Sequence, residues 1–201
     1  MKRISILFTA IFAIALFISS VNVGAREDFA IGSTLENFTL TDTDGKSHSF
    51  KDLMGEKGAV IVFVSAQCPV VGQYNERISK FAADYKAKGI NVVGINSNHT
   101  ESLEWVKSNA AENYKFPVLI DKGNVLADKL GATVTPEVYY FNEKNVLVYH
   151  GAIDNNRSGE NITEHFLRSA LDSALSGKAV AKTRANAFGC TIKRLEKTKR
   201  D

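Results

Sequence analysis

The stretch Ala59-Val60-Ile61-Val62-Phe63-Val64-Ser65-Ala66-Gln67-Cys68-Pro69 decides how the rest of the chain is read. It opens with an uninterrupted apolar, mostly β-branched run, the pattern of a short strand buried on both faces, where a half-buried strand would alternate with polar residues. The run stops at Ser65. Pro69 suits the first position of a helix, because the N–H it lacks would be unpaired there anyway and its fixed φ is already helical. Cys68 therefore falls where a buried strand gives way to a helix. Free N–H groups and the helix dipole favour negative charge at that point, so the thiol should ionise more readily than a free cysteine, whose pKa is ~8.5. The thiolate is the reactive form. A buried structural cysteine is the plainer alternative.

Working outward, Val71, Tyr74, Ile78, Phe81 and Tyr85 recur at three- and four-residue steps and predict one apolar helix face ending near Gly89. Residues 90–95 read as another strand, 101–113 as a helix, 116–120 as a short strand and 124–130 as a helical turn or two. Val138 to Phe141 and Val146 to His150 flank Asn142-Glu143-Lys144-Asn145 as a hairpin. Residues 162–175 repeat the helical spacing through Phe166, Leu167, Ala170 and Leu171, and Gly177 closes it. Upstream, residues 35–51 form a first hairpin around Asp42-Thr43-Asp44-Gly45. The order predicts an α/β domain with a central mixed β-sheet flanked by helices and an N-terminal β-hairpin.

At ~150 residues per domain, 201 residues allow one domain and an appendage. A chain that is 44% hydrophobic and 23% charged with three prolines is not wholly disordered, collagenous or disulfide-dense. Lys2 and Arg3 precede an apolar run from Ile4 to Ile18, a polar stretch, and Val23-Gly24-Ala25, the layout of a secretory signal over residues 1–25 removed after Ala25. That run is short of the ~20 residues needed to span a bilayer. Export would place the two cysteines, Cys68 and Cys190, where disulfides persist. The formal net charge of +3 conceals a contrast: residues 26–177 hold 15 basic and 20 acidic side chains, and residues 178–201 hold 8 basic and 2 acidic. An acidic body over 26–177 thus carries a basic tail, 178–201, and the tail carries Cys190.

Five fragments in order, Ser65-Ala66-Gln67-Cys68-Pro69, Tyr74-Asn75-Glu76-Arg77, Gly94-Ile95-Asn96-Ser97-Asn98, Thr135-Pro136-Glu137 and Gly151-Ala152-Ile153-Asp154, resemble the thioredoxin superfamily. Within it they resemble the peroxiredoxin-like redoxin branch related to alkyl hydroperoxide reductase and thiol-specific antioxidant proteins. Gly189-Cys190-Thr191-Ile192-Lys193 resembles a segment at the end of such proteins. The resemblance implies a thioredoxin-like fold, Cys68 as the nucleophile, and Pro136 as the cis-proline of that fold. It implies further that Thr135 faces the cysteine and offers backbone polar groups to a sulfur substrate, with Pro69 beside them.

Departures from the family pattern limit what carries over. A Cys-x-x-Cys pair is absent, since the four residues are Cys68-Pro69-Val70-Val71. Ser65 stands where a peroxiredoxin carries the hydroxyl of its Pro-x-x-x-Thr/Ser-x-x-Cys motif, but Ile61 stands where it carries the proline. Ser65 is thus either a hydroxyl for peroxide or a loop residue serving the local backbone. Arg77 reads as pointing outward from its helix, and Arg157 is a second candidate for an activating arginine. Cys190 is the candidate resolving thiol. It follows Gly177 by a tether that spans ~20 Å r.m.s. if flexible, so reach is no objection to a bond with Cys68. It could equally be a tail cysteine packed by Phe188 and Ile192, or pair with another molecule.

The four histidines lack the close spacing of a metal cluster, no cofactor motif is present, and no phosphate loop or nucleic-acid motif occurs. Asn96 and Asn98 read as turn or capping residues, and Lys193 to Arg200 as a solvated end. Two functions remain. One is an exported thiol-dependent oxidoreductase, with Cys68 attacking protein disulfides or small peroxides and Cys190 or an external thiol reductant returning it to thiol. The other is a non-catalytic binding module on the same fold, with Cys68 structural.

Overall fold

A computed structural model describes residues 29–196; the expected signal segment, 1–25, lies outside them. In chain order the elements are β1 (Thr39–Asp42), β2 (Ser47–Ser49), α1 (Phe50–Leu53), β3 (Ala59–Val64), α2 (Pro69–Lys86), β4 (Asn91–Asn96), α3 (Leu103–Asn113), β5 (Val118–Ile120), α4 (Val125–Leu130), β6 (Val134–Thr135), β7 (Glu137–Phe141), β8 (Leu147–Gly151), α5 (Phe166–Leu175), β9 (Arg184–Ala185) and β10 (Cys190–Thr191). The main sheet runs β2-β1-β5-β4-β3-β7-β8-β9, and β10 pairs with β6 in a separate two-stranded ladder. Pairs β3/β4, β4/β5 and β8/β9 are parallel and β1/β5, β3/β7 and β7/β8 antiparallel, so the sheet is mixed. This is the expected α/β architecture, and the N-terminal hairpin is joined to its edge through β1 and β5.

β3 is central because nothing in it is polar. Val60, Val62 and Val64 enter the core beneath α2 and α5, with Tyr74, Ile78, Phe81 and Leu171, while Ala59, Ile61 and Phe63 enter the opposite core with Phe50, Leu126 and Leu130 of α1 and α4. A strand with both faces dry can carry no alternation. The apolar face expected on α2 is buried at all five named positions, from Val71 to Tyr85.

Several boundaries move, and two of the shifts have a local cause. The last helix begins at Phe166, not at 162, because the Asn155 side-chain oxygen accepts the backbone N–H groups of Thr163 and Glu164 and holds them in a loop. The strand expected from 116 begins at Val118, after Pro117, whose nitrogen has no proton to give a ladder.

The tail is part of the fold. His150 and Gly151 pair in parallel with Arg184 and Ala185, which extends the main sheet by one strand. Its positive charge meets the acidic body: Arg194 binds Asp128 at 2.9 Å and Lys182 reaches Glu164 at 3.3 Å. The solvated reading of the lysine-rich end is corrected for Arg194, whose guanidinium is hydrogen-bonded to Asp128; Lys193 is exposed, and only its backbone is bonded to the body; residues 197–200 lie outside the described residues. Among the described residues no helix is long and apolar enough to cross a membrane.

Candidate functional site

Cys68 is the N-cap residue of α2, in extended conformation, and Pro69 opens the helix. The Cys68 carbonyl accepts the first helical bond, from Gly72 N–H at 3.1 Å. Its side chain does not cap the helix and is joined in a disulfide to Cys190, with the Cα atoms 5.9 Å apart. Cys68 is only 4% exposed, whereas Cys190 is partly exposed and Pro69 exposed. Opposite the sulfur, the Thr135 carbonyl oxygen lies 3.4 Å from Cys68 Sγ. The Thr135–Pro136 peptide bond is cis. Thr135 and Pro136 are both buried.

The tail reaches this point as a strand. β10 pairs antiparallel with β6, Cys190 opposite Thr135 and Thr191 opposite Val134. Ile192 N–H then donates to Thr133 O at 2.9 Å, Lys193 N–H to Asn98 Oδ1 at 2.8 Å, and Leu195 N–H to Asn124 Oδ1 at 3.1 Å. Asn98 thus serves the tail backbone where a turn or capping role was expected. Two glycines make the approach close. A Cβ on Gly189 would fall 2.0 Å from the Thr135 carbonyl oxygen, and one on Gly151 would fall 1.7 Å from that of Ala185.

Carboxylates fix both walls of the site. Glu101 accepts hydrogen bonds from the Ser65 hydroxyl, from the backbone N–H groups of Ala66 and Gln67, and from Asn96 Nδ2 at 2.6 Å. One side chain therefore sets the loop that presents Cys68. Ser65 belongs to this loop network, with its hydroxyl committed to Glu101. On the other wall, Glu137 accepts the N–H groups of Thr133 and Val134 at 2.8 and 3.2 Å, and His150 Nε2 at 2.6 Å. The Arg184 guanidinium, which can only donate, faces His150 Nδ1 at 3.3 Å, leaving Nε2 as the nitrogen that donates to Glu137. A line of polar contacts thus runs from the tail strand β9 to the backbone beside Pro136.

Arg77 does not point outward. Its guanidinium binds Asp154 at 2.6 Å and the carbonyl oxygens of Asn156 and Arg157, and it covers the Tyr74 ring. Tyr74 also donates to Asp154 at 2.9 Å; burial and that carboxylate push its phenol well above the ordinary range. Arg157 bonds Gln73 at 3.2 Å. Both arginines considered for peroxide activation are engaged by other partners. Among the described residues no group of three or more His, Cys, Asp or Glu is placed to hold a metal. Glu101, Glu137 and His150 are the residues that sequence reasoning did not single out. Glu137 alone carried a signal, by its place next to Pro136.

The comparisons with known proteins agree with this geometry. Residues 31–150 match the AhpC/TSA family. The thiol-disulfide oxidoreductase ResA of Halalkalibacterium halodurans is 28% identical over 146 residues, 73% of this chain and 82% of that protein. An uncharacterized conserved protein from Geobacillus kaustophilus superposes with a TM-score of 0.79 at 32% identity, covering 85% of this chain and 95% of that one. A hypothetical protein from Sinorhizobium meliloti 1021 gives 0.78 at 33% identity, covering 85% and 97%. With a helix-terminal cysteine, a cis-proline beside it and these similarities, the chain belongs to the AhpC/TSA family, a thioredoxin-superfamily redoxin whose two cysteines are joined as Cys68–Cys190.

Proposed function

We propose that the chain is an exported thiol-disulfide oxidoreductase in which Cys68 is the nucleophile and Cys190 the resolving thiol. The observation that carries this reading is the position of the disulfide, between the N-terminus of α2 and a tail strand laid beside Pro136. In the reduced protein the Cys68 thiolate, favoured by the helix terminus, attacks one sulfur of a substrate disulfide. A mixed disulfide forms and the other substrate sulfur leaves as a thiolate that takes up a proton. The Cys190 thiolate then attacks Cys68 Sγ, the second substrate sulfur leaves, and the substrate disulfide has become two thiols while Cys68–Cys190 is oxidised. An external dithiol reductant resets the pair by the same chemistry in reverse.

Disulfide exchange is favoured over peroxide reduction because the Ser65 hydroxyl is held by Glu101 and Arg77 by Asp154. Thr135 and Pro136 would contact the substrate sulfur, and Pro69 would border it. Export is supported by the pattern of residues 1–25 and fits a reaction that needs persistent disulfides. The substrates implied are protein disulfides or thiols, and no nucleic acid takes part.

The test is peptide mapping of the full chain across a series of thiol-disulfide buffers, together with reduction of a model disulfide. Reversible opening of Cys68–Cys190 in the folded protein is expected. Cys68→Ser should abolish turnover, and Cys190→Ser should accumulate a mixed disulfide on Cys68. A bond that opens only when the protein unfolds would instead make Cys68 structural and the domain a binding module.

A further inference from the structure

The oxidised tail is itself an extended segment with a cysteine, seated where a substrate cysteine must come to meet Cys68. Its fit is specific at each position. Side chains of a strand alternate, and here positions 188, 190 and 192 turn inward: Phe188 packs near the Tyr74 ring at 6.2 Å between centroids, Cys190 joins Cys68, and Ile192 is 3% exposed in the core beside Leu126 and Leu130. Thr191 is exposed. At Gly189, any side chain would strike the Thr135 carbonyl. The backbone is recognised by the β6 ladder and by Thr133 O, the means by which a strand edge takes up a peptide.

We infer that the groove along Val134–Thr135 is a selective peptide site and that the tail is its template. The substrate class is an extended polypeptide segment with an aromatic residue two before its cysteine, glycine directly before it, and an aliphatic residue two after it. This rests on the reading of Cys68 as an exchanging thiol. Substrate and β10 cannot be seated together. The substrate strand must therefore leave β6 while its sulfur is still held by Cys68; β10 then takes its place on β6, and Cys190 attacks Cys68 Sγ in line with the mixed disulfide, so that the substrate sulfur leaves as a thiolate and is protonated.

The experiment uses the reduced full chain carrying Cys190→Ser and pentapeptides whose cysteine is a mixed disulfide with thionitrobenzoate. Attack of Cys68 on the peptide sulfur releases the chromophore, and mass analysis locates the adduct. The peptide Phe-Gly-Cys-Thr-Ile should react fastest. Serine in place of its isoleucine should slow the reaction roughly tenfold or more, the loss expected from one buried aliphatic side chain, and alanine in place of its glycine should slow it at least as much. In the full chain carrying both Gly189→Ala and Cys190→Ser, where the tail strand no longer fits, all rates should rise with the same order kept. If every peptide reacts at one rate above that with free cysteine, the selectivity is overturned while the chemistry of Cys68 stands. If none reacts faster than with free cysteine, the thiol-exchange reading falls and the inference with it.

Discussion

Glu137 is a buried carboxylate whose oxygens accept the N–H groups of Thr133 and Val134, the imidazole of His150 and, at 3.3 Å, the Tyr139 hydroxyl. Burial opposes its ionisation, but the bonds from His150 and from the two backbone N–H groups outweigh it and hold the pKa below the ordinary glutamate value. A carboxyl depressed in the folded state stabilises fully above its unfolded pKa, ~4.3, and the contribution is lost as pH falls through the lower folded value. Glu137→Gln should therefore cost about 2 kcal/mol or more at neutral pH, the scale of a lost hydrogen bond to a charged acceptor. Thermal melts between pH 7 and 3 should also show a shallower acid decline for the variant than for the parent; parallel declines would count against this role. What was legible at this scale was local. Cys68 and Pro69 could be read because a strand end and a helix start are written in adjacent residues. Glu101 could not, since its partners Ser65, Ala66 and Gln67 lie 34 to 36 positions away. Arg77 was misread for the same reason, its acid lying 77 positions on at Asp154.

Among the elements, α2 and β3 announce themselves by long periodic or unbroken apolar patterns. β9 and β10 have two residues each, too few for any period, and exist because β8 and β6 offer them unpaired backbone. The tail strands are thus ordered by their partners. Gly151 tests this directly, because it has φ +137° and its missing Cβ makes room for Ala185 O. Gly151→Ala should lift β9 from the sheet at a cost of roughly 2 kcal/mol or more, read by urea unfolding and by faster amide exchange at Ala185 and Ala152, whose N–H bonds Ala185 O at 3.2 Å. Unchanged exchange at those amides would show that the strand stays in place. At the start of α3, Ser102 Oγ accepts Trp105 N–H at 3.3 Å. Ser102→Ala should cost about 1 kcal/mol by the same unfolding measurement.

For the whole molecule, the main constraint on the unfolded chain is the bond between residues 122 positions apart. In the chain-entropy account, closing a loop of that size stabilises by about 4–5 kcal/mol. Cys190→Ser should lower the free energy of urea unfolding by an amount of that order relative to the oxidised parent. A loss below about 1 kcal/mol would count against that account, because native contacts such as the β6–β10 ladder and the Arg194–Asp128 pair do not limit the freedom the unfolded chain regains. The same separation sets an order of events during synthesis. At about 5–20 residues per second, Cys190 is added roughly 6 to 24 seconds after Cys68, and through that interval Cys68 is the only thiol the growing chain has. No fragment that stops short of the tail can close the bond. Its presence in a molecule records that translation passed the last strand and that the strand found its place.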